Sequence, residues 1–208
     1  MKVFLVFLLG AFVLFWGLYK PNVDKISIPE ITPTFVPTGV KKADFQPPLD
    51  RISERVTKKT FGMYITPQNS PMQPEKFKGY HTGVDFEVFP DEENKTIPVS
   101  AICEGKLLVK KYASGYGGVV VQSCKFKQNE ITVIYGHLLL SSVIKKAGSN
   151  LTMGETIGVL GAKSQETDGE RKHLHLGVHL GTAINILGYV SNKAQLKDWE
   201  DPLQLFSP

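Results

Sequence analysis

Three short stretches carry histidine and aspartate at spacings that suit a metal ion. KHLHLGVHL, Lys172 to Leu180, puts His173, His175 and His179 on one face of a strand, because side chains alternate across the pleat. YHTGVDFEV, Tyr80 to Val88, puts His81, Gly83, Asp85 and Glu87 on one face and the core-suited Thr82, Val84, Phe86 and Val88 on the other. Gly83 leaves open space between His81 and Asp85. Two imidazoles and a carboxylate from two neighbouring strands can hold one ion and leave a fourth position for water. Strand geometry alone leaves His173 and His175 equal candidates as ligand. The third stretch, ITVIYGHL, brings His137 to the end of a strand-like run.

Each motif alone has a bland reading, since a histidine on a strand is more often solvated than ligating. The chain holds only five histidines, however, and their gathering in these motifs argues for a site over scattered surface residues. His179 shares the face of His175 but stands about 13 Å further along, at roughly 3.3 Å per residue. That distance excludes it from the same ion, so it reads as solvated or supporting. Glu87 reads as peripheral.

The elements that must position these residues are short β-like runs separated by glycine turns: TGVDFEVF, TIPVSAICEGKLLVKKY, GGVVVQSCKF, EITVIYGHL, ETIGVLG and HLHLGVHL. Such spacing, without a long amphipathic helix, predicts an all-β domain, a small antiparallel sheet or sandwich. One short helix is expected within LDRISERVTK, Leu49 to Lys58. Cys103 and Cys124 flank the turn-like ASGYGG, so a cross-strand disulfide and two buried free thiols are both open. No C-x-x-C spacing exists, which excludes them as a zinc pair.

Outside the domain, VFLVFLLGAFVLFWGLY, Val3 to Tyr19, is uncharged and has no polar face, the signature of a segment that enters a membrane. It is longer than the apolar core of about 7–15 residues in a signal peptide and ends without an A-x-A pattern. These features favour an uncleaved anchor over residues 1–20, with secretion after cleavage as the alternative; either way the domain is extracytoplasmic. Residues 21–50 are proline-rich and predict a semi-extended linker reaching about 90 Å at roughly 3.1 Å per residue, unless it packs on the domain. The domain itself is expected over 51–208, with its core at about 60–187. Net charge is +4 on 208 residues, with no dense basic stripe, which argues against nucleic-acid binding.

The order H-x-x-x-D (His81, Asp85), Y-G-H-L (Tyr135 to Leu138) and H-L-H (His173 to His175) resembles lysostaphin/LytM-type zinc endopeptidases. These act on the peptide crosslinks of bacterial peptidoglycan. The likeness includes IPVSAICEGKLLV, SGYGGVVVQ and MGETIGVLG between the motifs. It implies the duplicated hybrid motif fold with its site in a groove, and one Zn2+ held by His81, Asp85 and His175. It makes His137 and His173 unligated catalytic histidines, and peptidoglycan stem or bridge peptides the substrate. The same family includes non-enzymatic modules that activate other wall hydrolases. Those are expected to have lost ligands or catalytic histidines, whereas all five positions are filled here. A zinc peptidase acting on a protein is the third alternative. The loop SQETDGERK departs from relatives, where small residues and Gly/Pro are commoner, and sets Arg171 and Lys172 beside the site. They read either as partners for substrate carboxylates or as a solvated loop.

Overall fold

The structure, a computed structural model, describes residues 44–206 apart from Ser164. The apolar segment 1–20 and the linker as far as residue 43 lie outside the described residues. Among the described residues, no helix is long and apolar enough to cross a membrane.

The architecture is antiparallel β with short helical turns. In chain order the strands are β1 (Tyr64–Ile65), β2 (Gly79–His81), β3 (Gly83–Glu87), β4 (Pro98–Ser100), β5 (Gly105–Ala113) and β6 (Gly117–Phe126). They continue with β7 (Asn129–Gly136), β8 (Asn150–Leu151), β9 (Thr156–Val159), β10 (His173–Leu180), β11 (Tyr189–Val190) and β12 (Trp199–Glu200). A seven-stranded sheet runs β12-β10-β7-β6-β5-β8, with β3 on the edge of β10 that faces away from β7. β1, β2 and β11 form a separate three-stranded sheet, and β4 pairs with β9.

The β-branched runs GVVV and ITVIY supply the central strands β6 and β7, where such side chains pack well on a pleat. Their hairpin turns at Lys127 and Gln128, both left-handed, which matches the twist of a two-residue turn. One face of the sheet carries Val84, Phe86, Val120, Val133, Tyr135, Leu174 and Leu176 into the main core. Tyr116, Val119, Val121, Ile134 and Trp199 form a second apolar cluster. β6, β7 and β10 are therefore buried on both faces over most of their length.

Four expectations change in detail. The stretch from Tyr80 to Val88 is not one strand: the chain leaves β2 after His81, and β3 joins the other sheet from Gly83. Thr82 sits at the break, its N–H donating to the Gly188 carbonyl. TIPVSAICEGKLLVKKY likewise divides into β4 and β5. The helix expected in Leu49 to Lys58 is a single turn, Ile52–Arg55. His179, expected as solvated or supporting, is buried along with His173 and His175 on the same face of β10. Cys103 and Cys124 are bonded, with Cα atoms 6.0 Å apart. Phe45 and Leu49, at the end of the proline-rich stretch, are buried in the main core.

Candidate active site

β3 and β10 pair in a register that sets His175 opposite Asp85 and His173 opposite Glu87. On its other side His175 faces Gly136 of β7. A Cβ at Gly136 would lie 2.4 Å from the Tyr116 ring, and one at Gly83 would lie 2.3 Å from the Leu176 carbonyl and 2.8 Å from His175 Nε2. The space read at Gly83 is thus taken up by the His175 ring. Glycine at both positions lets backbone, tyrosine and imidazole close up around the site.

His81, Asp85 and His175 come together. His81 Nε2 lies 3.0 Å from His175 Nδ1 and 3.3 Å from Asp85 Oδ1, and His175 Nδ1 lies 3.2 Å from that same oxygen. All three side chains are buried. Donors about 2.0–2.1 Å from a tetrahedral zinc stand about 3.3–3.4 Å apart, so this triangle has the size such an ion requires. His81 Nδ1 donates to the Thr60 carbonyl at 3.1 Å, which leaves the Nε2 lone pair facing the triangle. Burial pushes His175 down to about 4, so its ring is neutral at pH 7. For Asp85, burial works upward, but the charges of His173 and His81 and the hydrogen bonds from His173 and His175 outweigh it and hold the carboxyl well below the usual range. A carboxylate oxygen and an imidazole lone pair converging in a buried pocket fit a cation.

His137 and His173 stand beside the triangle, their ring centroids 4.1 Å apart. His173 Nδ1 donates to the Arg171 carbonyl at 2.9 Å, and its Nε2 lies 3.3 Å from Asp85 Oδ2. His137 follows the last residue of β7 in a left-handed conformation, φ 64°, a strain of about 1–3 kcal/mol that aims its ring at His173. Burial, then the neighbouring His173, keeps His137 well below the ordinary imidazole range. Its Nδ1 is buried without a hydrogen-bond partner.

The two cations of the loop before β10 are not solvated. Arg171 turns inward, its Nη2 2.8 Å from Asp85 Oδ2 and its Nε 2.9 Å from Glu87 Oε2. Lys172 is buried, donating to the carbonyls of Glu92, Glu93 and Lys95. Arg171 is thus engaged by Asp85 and Glu87, and Lys172 by backbone carbonyls. Glu87 is no bystander, since it holds Arg171. His179 is buried edge-on against Trp199, with centroids 4.9 Å apart, and takes no part in the triangle.

The site opens into a groove of about 520 Å³, walled by Phe77, Lys78, Ile186, Leu187 and Tyr189. Tyr116 packs its ring against His137 and His175, and its hydroxyl is buried without a partner. Lys59 is buried between Glu75 Oε2, at 2.7 Å, and the Tyr189 hydroxyl, at 2.9 Å. Sequence reasoning missed these residues. Tyr116 sits in a glycine turn that gives no sign of direction, and nothing in KK at 58–59 marks the second lysine as buried.

Peptidase family M23 matches residues 79–186, a span that holds all three motifs. The chain belongs to peptidase family M23. The lysostaphin/LytM-type resemblance of the sequence is to this same family. Among solved structures, this M23 chain is similar to LytU, at 26% identity over 71% of this chain and 81% of that one, with a TM-score of 0.48. It is similar to CbpA from L. salivarius REN at 21% identity, over 67% and 84% of the two chains, with a TM-score of 0.41. For Csd3 of Helicobacter pylori the values are 22%, 72%, 36% and 0.37. Comparison with curated proteins found no match.

Proposed function

We propose that this M23 domain is a zinc-dependent endopeptidase that hydrolyses the peptide crosslinks of bacterial peptidoglycan, tethered outside the cytoplasm by its N-terminal segment. The observation that carries the reading is the buried triangle of His81 Nε2, Asp85 Oδ1 and His175 Nδ1, with two unligated histidines against it. Family membership supports the reaction class. The filled ligand and histidine positions favour an enzyme over a regulator. The disulfide supports an oxidising compartment. Anchoring rests on the apolar run at residues 3–19 and the proline-rich stretch behind it.

His81, Asp85 and His175 would hold one Zn2+, which when bound supplies Lewis-acid polarisation of a carbonyl and activation of water near neutral pH. Hydrolysis also requires a proton to be taken from the attacking water and one to be delivered to the leaving amine. His137, kept neutral by burial and with a free ring nitrogen, is fitted to accept a proton. His173 has Nδ1–H committed to the Arg171 carbonyl, so Nε2 is its working nitrogen and points towards the triangle. The groove wall of Phe77, Ile186, Leu187 and Tyr189 offers apolar contact to a peptide laid across the site.

Zinc content and turnover of variants of the full chain test the roles. Asp85→Ala and His81→Ala should lose both zinc and activity. His173→Ala and His137→Ala should retain zinc and lose turnover by about 100-fold or more. Full activity in any of the four contradicts the assignment.

A further inference from the structure

We infer that Arg171 is a positioning residue that divides the two oxygens of Asp85, reserving one for the metal ion and holding the other out of the coordination sphere. The inference rests on the metal-site reading above and deepens it.

The two oxygens have separate surroundings. Oδ1 faces His81 Nε2 and His175 Nδ1, at 3.3 and 3.2 Å. Oδ2 faces away from that pair, taking Arg171 Nη2 at 2.8 Å and standing 3.3 Å from His173 Nε2. A lone carboxylate next to an ion can swing to present both oxygens. Here one oxygen is engaged by a guanidinium, and charge-assisted bonds of this kind are about twice as strong as neutral ones.

Arg171 is itself fixed. Its Nε donates to both oxygens of Glu87, at 3.1 and 2.9 Å, and its Nη2 also contacts Glu87 Oε1. Glu87 lies two residues beyond Asp85 on β3, so both carboxylates project from one face towards the incoming chain at Arg171. Lys58 Nζ adds a further contact to Glu87 at 3.2 Å. The planar fork of arginine spans two carboxylates at once, which a lysine ammonium cannot do in the same geometry. The Arg171 carbonyl also accepts from His173 Nδ1, so one residue orients a ligand through its side chain and a catalytic histidine through its backbone. A side chain that only screened negative charge would need none of this geometry.

The test measures metal binding rather than turnover. Full-chain wild type, Arg171→Ala, Arg171→Lys and Glu87→Gln are titrated with Zn2+ against a competing chelator. The visible absorption of each Co2+-loaded form is recorded, and melting of the metal-free forms reports on folding. Loss of a residue that orients a metal ligand typically costs 10–100-fold in affinity, so both Arg171 variants should bind about 10–100-fold more weakly. Their Co2+ bands should weaken, as expected when a freed second oxygen raises the coordination number. Glu87→Gln should fall between them and wild type, since it loosens Arg171 without removing it. If Arg171 acts only as a positive charge, Arg171→Lys will match wild type and Arg171→Ala will bind more tightly by loss of repulsion; either result overturns the inference. Unchanged affinity and spectra in folded variants overturn it too. A wild type that binds neither ion overturns the metal-site reading itself, an outcome separate from any difference among the variants.

Discussion

At Asp85 and the histidines around it, residue types were readable before their roles were. The H-x-x-x-D and H-x-H spacings pointed to a metal triangle, but alternation on β10 put His173 and His175 on the same face. What separates them in space is a matter of partners. His175 Nδ1 meets His81 and Asp85, whereas His173 spends Nδ1 on the Arg171 carbonyl. Neither contact is visible in a strand pattern. Arg171 misled for a related reason: a cation in a polar loop reads as solvated until the carboxylates of Asp85 and Glu87 are seen to face it. The open space expected at Gly83 is filled by the His175 ring and the Leu176 carbonyl, and that close packing yields a direct test. Gly83→Ala drives a methyl group into the Leu176 carbonyl and the His175 ring. We expect destabilisation of about 3 kcal/mol, read by chemical denaturation, together with weakened zinc binding. A stable variant with unchanged zinc affinity would contradict the close packing described here.

At the scale of elements, the sequence conveyed the all-β class and most of the strands but not the break at Thr82. Four residues along a continuous strand span about 13 Å, which is why His179 could not join His175. The same spacing separates His81 from Asp85, yet their ligand atoms stand 3.3 Å apart. The chain reconciles the two by changing sheets at Thr82, where hydrogen bonds to Gly188 and Leu187 take over from the ladder. Those partners lie more than a hundred residues away, beyond any local pattern. Entry to the domain is fastened by another long-range pair: Arg55, fully buried, donates to both oxygens of Glu92 at 2.7 and 2.9 Å. That hydrogen bonding lowers the Glu92 carboxyl from 4.5 to about 2. Because the folded value is the lower one, the stabilisation is complete above about pH 4.5 and is lost as pH falls towards about 2. Glu92→Gln should therefore cost on the order of 3 kcal/mol at pH 7, with the gap to wild type closing between those pH values. A gap that stays constant on acidification, measured by denaturant titration, would show that the pair is not the source.

For the whole molecule, the proposal joins three parts: an apolar N-terminal segment, a proline-rich stretch and a disulfide-bonded M23 domain with a groove over its buried triangle. The domain class followed from turn spacing and strand composition. The burial of both sheet faces did not, because a histidine-bearing face looks solvent-exposed until Tyr116 is seen to pack on His175 and Trp199 on His179. The central claim is that this assembly cuts peptide bonds of the cell wall with a metal held by His81, Asp85 and His175. Mass spectrometry of purified peptidoglycan after incubation with the full chain, with and without a zinc chelator, tests it most directly. Release of peptide-cleaved fragments that stops with chelator and returns with added zinc is the predicted result, and the fragment masses name the bond. Intact peptidoglycan after incubation with zinc-loaded protein would contradict it.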